Sequence, residues 1–128
     1  MSVKLLTGCV VNGVGDFEKR MKKYPEVFER ATGEKLYPGT LNIRVSKRIP
    51  IKEDFRILGT DIGEPEQDLL FEKCLINGIP AYRIRPYNLN TGSGGHGDDT
   101  LEITCSQKIP SVQTGSLAEI TLFRDDID

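Results

Sequence analysis

The feature that most constrains the fold of this chain is a series of short apolar runs separated by turn residues. Each run is rich in β-branched residues or alternates polar with apolar side chains, as a half-buried strand does. The runs cover residues 3–12, 40–45, 55–60, 69–77, 79–86, 100–105 and 117–123. Asn77-Gly78 separates two of them and favours a tight hairpin, because both central residues of that turn need positive φ. Strands of this length and spacing predict a closed or nearly closed β-barrel.

One segment has the pattern of a helix. Pro25 suits the first helical position, where its missing N–H would have no intrahelical partner anyway. Tyr24 and Phe28 are spaced to share a buried face, and Gly33 favours a left-handed stop. The sequence therefore predicts a mainly β fold with one short helix over residues 25–32.

Length and charge limit the class of protein. With 128 residues and neither an internal repeat nor a visible boundary, we expect a single domain over 1–128. The net charge is -2 and the basic residues are interspersed with acids, so nucleic acid is not an expected partner. The basic cluster within residues 19–23 is either a solvated face or a surface that attracts phosphate.

The cysteines indicate the compartment. Cys9, Cys74 and Cys105 have no CxxC spacing, and no N-terminal signal segment precedes them, which predicts a reducing cytoplasm. They lie in apolar stretches and are expected to be small core residues. No apolar run approaches the roughly 20 residues of a membrane-spanning helix, so we expect no membrane association of that kind.

The most informative motif is YPGTLN at residues 37–42. Thr40 and Asn42 alternate along a run that reads as a strand, so their side chains should project to one face just after a tight turn. A hydroxyl and an amide oxygen suit Mg²⁺, which keeps several waters and takes one or two protein ligands beside substrate phosphates. The alternative is a turn and an ordinary strand, with both residues serving as caps.

A second motif, GVGD at residues 13–16, directly follows the first predicted strand. Glycines let backbone N–H groups turn toward an anion, so this junction could cradle phosphate. The motif alone is weak, because GxG at a strand end is commonly just a turn and the full GxGxxG fingerprint is absent.

Together these segments resemble the archaeal CTP-dependent riboflavin kinases. The shared order is a glycine loop after the first strand, a Tyr-Pro-x-x-Phe helix at 24–28, and then the YPGTLN motif. The segment 94–103, with His96 ahead of Glu102 in a Leu-Glu-Ile strand, is similar to the family's flavin-side segment. The resemblance covers nearly the whole chain and implies a single six-stranded cradle-loop (RIFT-type) β-barrel.

The resemblance also implies roles for individual residues. Thr40 and Asn42 match the family's Mg²⁺ ligands, and Glu102 matches a residue near the flavin. On that flavin side Gly94 replaces a threonine, with Thr91 nearby. The loop over the nucleotide phosphates matches Gly13, Val14, Gly15, Asp16 and Phe17. A second nucleotide-binding segment matches Gln107, Lys108, Ile109 and Pro110.

The implied reaction is Mg²⁺-assisted phosphoryl transfer from CTP to riboflavin, which gives FMN and CDP. Such a transfer depends on positioning and charge neutralisation more than on a strong base. We expect Mg²⁺ on Thr40 and Asn42 to bridge the terminal phosphates, and Glu102 to orient the acceptor hydroxyl. Histidines titrate near neutrality, so His96 either assists a proton transfer or lies exposed and idle in its glycine-rich loop.

Departures from the family pattern leave two other functions open. The phosphate loop and the last loop are shorter than the family's, and Ile109-Pro110 stands where a Leu-Arg pair is usual. One alternative is a kinase of the same barrel that acts on another small alcohol. The other is a non-catalytic nucleotide- or flavin-binding domain, because the fold alone does not establish the reaction.

Overall fold

The computed structural model describes residues 2–13, 16–87, 99–109 and 113–124. The helices in this part of the chain are Asp16–Lys23 (α1), Pro25–Thr32 (α2) and a short 3-10 helix at Gly59–Ile62. The strands are Lys4–Val11 (β1), Leu41–Arg44 (β2), Phe55–Ile57 (β3), Leu69–Ile76 (β4), Ile79–Pro86 (β5), Thr100–Thr104 (β6) and Leu117–Leu122 (β7). The chain is therefore mainly β, as the spacing of the apolar runs predicted.

The strands close into a barrel. Hydrogen-bonded neighbours follow the order β4-β5-β6-β2-β1-β7, and β7 pairs back onto β4, so six antiparallel strands form the ring. β3 pairs with β4 at Phe55↔Phe71, while β7 pairs with the other half of β4 at Cys74↔Leu122. The predicted six-stranded barrel is confirmed. β3 is an additional short strand outside the ring.

The hairpin between β4 and β5 turns at Asn77-Gly78. The φ angles there are 48° and 79°, so both central residues adopt the left-handed conformation that this dipeptide tolerates. The pairing runs directly from Ile76↔Ile79 to Leu69↔Pro86 without interruption. This turn was the strongest local signal in the sequence, and its position is confirmed.

Two apolar clusters form the core. The first combines side chains from all six barrel strands, and it includes the buried Cys74 and Cys105 as expected. Cys9 is only partly buried. The second cluster packs α1 and α2 against β3, β4 and β5, and its largest members are Phe17, Phe28, Phe71 and Tyr82. The helices therefore cover one outer side of the barrel.

The helix count is the main correction to the prediction. α2 spans the predicted range and ends at Gly33, whose φ is 81° and whose N–H donates to Glu29 O. The sequence analysis missed α1, because its segment is largely charged and only Phe17 and Met21 carry the apolar stripe. Those two side chains are nevertheless buried in the second cluster. Within the described residues, no helix has the length and apolarity needed to cross a bilayer.

Candidate functional site

Asn42 lies at the centre of the candidate site. β2 runs between β1 and β6, and Asn42 is the cross-strand partner of Val11 on one side and Glu102 on the other. Its side chain is 6% exposed, yet its Oδ1 has no hydrogen-bond partner within the described residues. A buried carbonyl oxygen without a hydrogen-bond partner lowers the stability of the folded state by about 1–3 kcal/mol. The Asn42 amide is therefore expected to destabilise the free protein.

Thr40 and Asn42 line the same cavity, as their alternation predicted. This cavity has a volume of about 250 Å³, and its walls also include Gly13, Phe17, Glu18 and Gly39. Asn42, whose amide oxygen has no partner among the described residues, and Thr40 thus line one open cavity. Whether they share a metal ion stays a prediction.

Gly13 places backbone directly against Asn42. It lies two residues after the end of β1, and a Cβ built at this position would overlap Asn42 Nδ2. Only glycine therefore lets the chain pass so close to this amide. This close approach gives Gly13 a packing role beside Asn42, and the prediction that the GVGD motif cradles phosphate stays a prediction.

The expected phosphate loop ends earlier than predicted. Val14 and Gly15 lie outside the described residues. Asp16 is already the first residue of α1, and Phe17 is 5% exposed and packs into the second core cluster. The physical reason is that Phe17 and Met21 bury one face of α1, which keeps the segment helical from residue 16 onward. The predicted loop over 13–17 is corrected at its end, because Asp16 and Phe17 belong to α1.

The first turn of α1 faces this cavity. Phe17 and Glu18 line it, and the first N–H groups of a helix lack intrahelical acceptors and favour anions. Met21 ties α1 to the turn before β2, because Gly39 N–H donates to Met21 Sδ at 3.3 Å. The first turn of α1, Gly13 and the beginning of β2 therefore surround one cavity.

A second cavity of about 280 Å³ adjoins the first. The two share Glu18, Gly39 and Thr40. The walls of the second cavity also include Tyr37, Cys105, Gln107, Lys108 and Ile109. The structure thus brings the predicted segment 107–109 next to Thr40, while Pro110 lies outside the described residues.

Glu102 lies beside Thr40 without lining these two cavities. Its side chain is 8% exposed, and its Oε2 accepts a hydrogen bond from Thr40 Oγ1 at 3.5 Å. The register of β2 and β6 sets this proximity, because Glu102 is the direct partner of Asn42. The other predicted flavin-side residues, Thr91, Gly94 and His96, fall outside the described part of the chain.

The donor set decides which metal the site could hold. Among the described residues, no group of three or more histidine, cysteine, aspartate or glutamate side chains is arranged to hold a metal. The candidate donors are instead one hydroxyl and one amide oxygen, with a carboxylate behind the hydroxyl. Neutral oxygens in small number suit Mg²⁺, which retains water and completes its shell from phosphates.

Sequence reasoning missed several residues that line these cavities, among them Glu18 and Tyr37. Glu18 could not be placed because α1 was not predicted, and it lines both cavities. Tyr37 belongs to the YPGTLN motif, and an aromatic residue directly before a tight turn was the signal that could have identified it. Its backbone is paired with the end of β6, where Tyr37 N–H donates to Cys105 O at 2.9 Å.

Comparison with known proteins gives two informative similarities. No family model matches the chain. It is 31% identical over 109 residues to a riboflavin kinase of Methanocorpusculum labreanum, which covers 77% of the chain and 47% of that protein. It is 29% identical over 132 residues to a riboflavin kinase of Staphylothermus marinus, which covers 98% of the chain and 96% of that protein. The chain thus spans about half the length of the first relative and nearly all of the second.

Both relatives are archaeal proteins named riboflavin kinase, so the comparisons support the riboflavin kinase part of the resemblance drawn from the sequence. Neither name states the phosphate donor or a metal. The alignment with the second relative extends along almost the entire chain.

Proposed function

We propose that this chain is a riboflavin kinase that transfers the γ-phosphoryl group of CTP to riboflavin with the assistance of Mg²⁺. The observation that carries the proposal is the buried Oδ1 of Asn42, which has no partner among the described residues and lies in a cavity lined also by Gly13 and the first turn of α1. The similarity to two riboflavin kinases supports the choice of acceptor. The choice of CTP follows the sequence resemblance.

Thr40 and Asn42 are the residues that would hold the metal. The unsatisfied amide oxygen fits a cation, because a bound cation would remove the cost of leaving that oxygen buried without a partner. When bound, Mg²⁺ neutralises phosphate charge and orients the terminal phosphates. Glu102 accepts the hydrogen of the Thr40 hydroxyl, which leaves lone pairs of Oγ1 available to a cation.

The phosphates of the nucleotide would occupy the smaller cavity. Gly13 and the first turn of α1 line this cavity, so their N–H groups would be the donors to phosphate, and the helix dipole favours negative charge at this end. The nucleoside would then extend into the adjoining cavity lined by 107–109, because both cavities share Thr40 and Gly39. Such positioning supplies most of the catalysis in phosphoryl transfer.

Glu102 is the residue that we assign to orienting the acceptor hydroxyl of riboflavin. The oxygen of the terminal ribityl hydroxyl of riboflavin forms a bond to the γ-phosphorus, and the bond from that phosphorus to the bridging oxygen of CTP breaks. CDP leaves, FMN is formed, and the hydroxyl proton passes to the Glu102 carboxylate. The hydrogen bond to Thr40 holds this carboxylate next to the phosphate cavity, where it can orient the attacking hydroxyl.

The test is FMN formation from riboflavin, with CTP, UTP, ATP and GTP compared in the presence and absence of Mg²⁺. We expect FMN and CDP with CTP and Mg²⁺, and no product without the metal. Absence of FMN with every nucleotide would refute the proposal. Product from another hydroxylated acceptor but not from riboflavin would support a kinase of the same barrel with a different substrate.

Glu102→Gln tests the assignment of the acceptor side. A positioned carboxylate contributes about 100-fold or more to such transfers, so kcat should fall by that order while CDP binding is retained. Glu119→Gln is the matched control, because Glu119 is exposed on β7 and lines neither cavity. Unchanged turnover in Glu102→Gln would remove Glu102 from the mechanism.

A further inference from the structure

Tyr37 differs from the other tyrosines because its ring contacts no cation and no other aromatic ring among the described residues. Lys23 Nζ lies 5.5 Å from the Tyr24 ring centroid, and Arg56 lies 5.1 Å from that of Tyr87. The remaining tyrosine packs edge-on against an aromatic ring in the core. Tyr37 is 48% exposed and lines the larger of the two joined cavities.

The backbone that carries this exposed ring is held firmly. Tyr37 N–H donates to Cys105 O at 2.9 Å, and Thr104 Oγ1 donates to Tyr37 O at 3.5 Å. Both partners belong to the end of β6 and the residue after it, so the barrel itself positions Tyr37. An exposed aromatic side chain on a fixed backbone loses little conformational entropy when a flat ligand binds to it.

We infer that Tyr37 is the stacking platform for the base of the nucleotide, an inference that rests on the proposed function. Phosphates at Thr40 and Asn42 would leave the nucleoside in the adjoining cavity, since the cavities meet at Thr40. Tyr37 and Ile109 supply apolar surface in that cavity, and Gln107 and Lys108 supply polar groups. Aromatic stacking accepts the flat face of a base, while polar groups read its edge.

The experiment measures ligand binding to the full chain by titration calorimetry. Tyr37→Ala should weaken the binding of CDP with Mg²⁺ by roughly 5- to 150-fold, the range that base–aromatic stacking contributes. Its affinity for pyrophosphate with Mg²⁺ should stay unchanged, because that probe has no base. Tyr37→Phe keeps the ring and should bind CDP like the native protein. Tyr87→Ala removes an exposed tyrosine outside both cavities and is the matched control.

Several outcomes would overturn the inference and leave the proposed kinase intact. One is that Tyr37→Ala binds CDP as tightly as the native protein, or that it loses affinity for pyrophosphate as much as for CDP. Another is that Tyr37→Phe loses as much CDP affinity as Tyr37→Ala. The last is that Tyr37→Ala weakens the binding of FMN and not that of CDP. In each case the native protein still binds CDP and forms FMN. Failure of the native protein to bind CDP at all would instead refute the proposed function, and the inference with it.

Discussion

Replacing Asn42 by leucine should stabilise the free protein and abolish its binding of Mg²⁺ with a nucleotide. Asn42 is 6% exposed, and its Oδ1 has no hydrogen-bond partner in the described structure. Leucine has the same branching at Cγ and a similar volume, so the substitution removes the buried polar atom without leaving a large cavity. The usual destabilising effect of changing a buried residue is therefore expected to reverse here.

The magnitude follows from the cost of the unpartnered oxygen. Removing a buried, unsatisfied carbonyl should raise the free energy of unfolding by about 1–3 kcal/mol. For a chain of this length, each kcal/mol shifts Tm by about 3–5 °C. Urea unfolding and a thermal melt, both without ligand, measure the gain, and titration calorimetry with CDP and Mg²⁺ measures the loss of binding.

Asn12→Leu is the matched control for this substitution. Asn12 is exposed, and its Oδ1 accepts a hydrogen bond from Thr114 Oγ1 at 3.0 Å, so leucine there should bring no stabilisation. If Asn42→Leu is instead less stable than the native protein, the amide must have a partner in solution. The reasoning that the cavity retains it for a ligand would then be wrong.

Three further predictions concern other parts of the structure. Gly13→Ala should weaken the binding of CDP with Mg²⁺ at least 10-fold, as measured by calorimetry, because the added methyl group displaces the Asn42 side chain. An affinity equal to that of the native protein would contradict this. Glu72→Ala should lower the free energy of unfolding in urea by about 3–5 kcal/mol, because it removes a carboxylate 3.6 Å from the buried Arg83 guanidinium. A loss below about 1 kcal/mol would contradict a stabilising role for this ion pair. The Gly59 N–H and then the Arg56 guanidinium lower the pKa of Asp68 below its usual value, so its stabilisation is present above that usual value and is lost as the pH falls through the lowered pKa. Asp68→Asn should flatten the acid side of a stability–pH profile, and an unchanged profile would refute this.

Local signals predicted much of the fold. Pro25 and Gly33 defined both ends of α2, and Asn77-Gly78 defined the β4–β5 hairpin, because each of these residues has a backbone preference that acts without help from distant contacts. α1 was not predicted because its helical state depends on the burial of Phe17 and Met21 in the second cluster, with residues of β3, β4 and β5 that are distant in sequence. Tertiary packing of this kind overrides a charged, weakly patterned sequence.

The candidate site was predictable only where its residues are neighbours in sequence. Thr40 directly precedes β2 and Asn42 lies within it, two residues apart in extended sequence, so their shared cavity followed from strand geometry. That Asn42 Oδ1 has no partner in the described part of the chain depends on its neighbours across β1 and β6, which the sequence does not reveal. The same holds for Glu18, whose position at the junction of the two cavities requires the placement of α1.

A crystal structure of the protein with CDP and Mg²⁺ tests the central claim most directly. We expect Mg²⁺ at about 2.0–2.1 Å from Asn42 Oδ1 and Thr40 Oγ1, with the remaining positions of its octahedron filled by water and phosphate oxygens. Bound CDP with the cation elsewhere, and with Asn42 Oδ1 still lacking any partner, would contradict it.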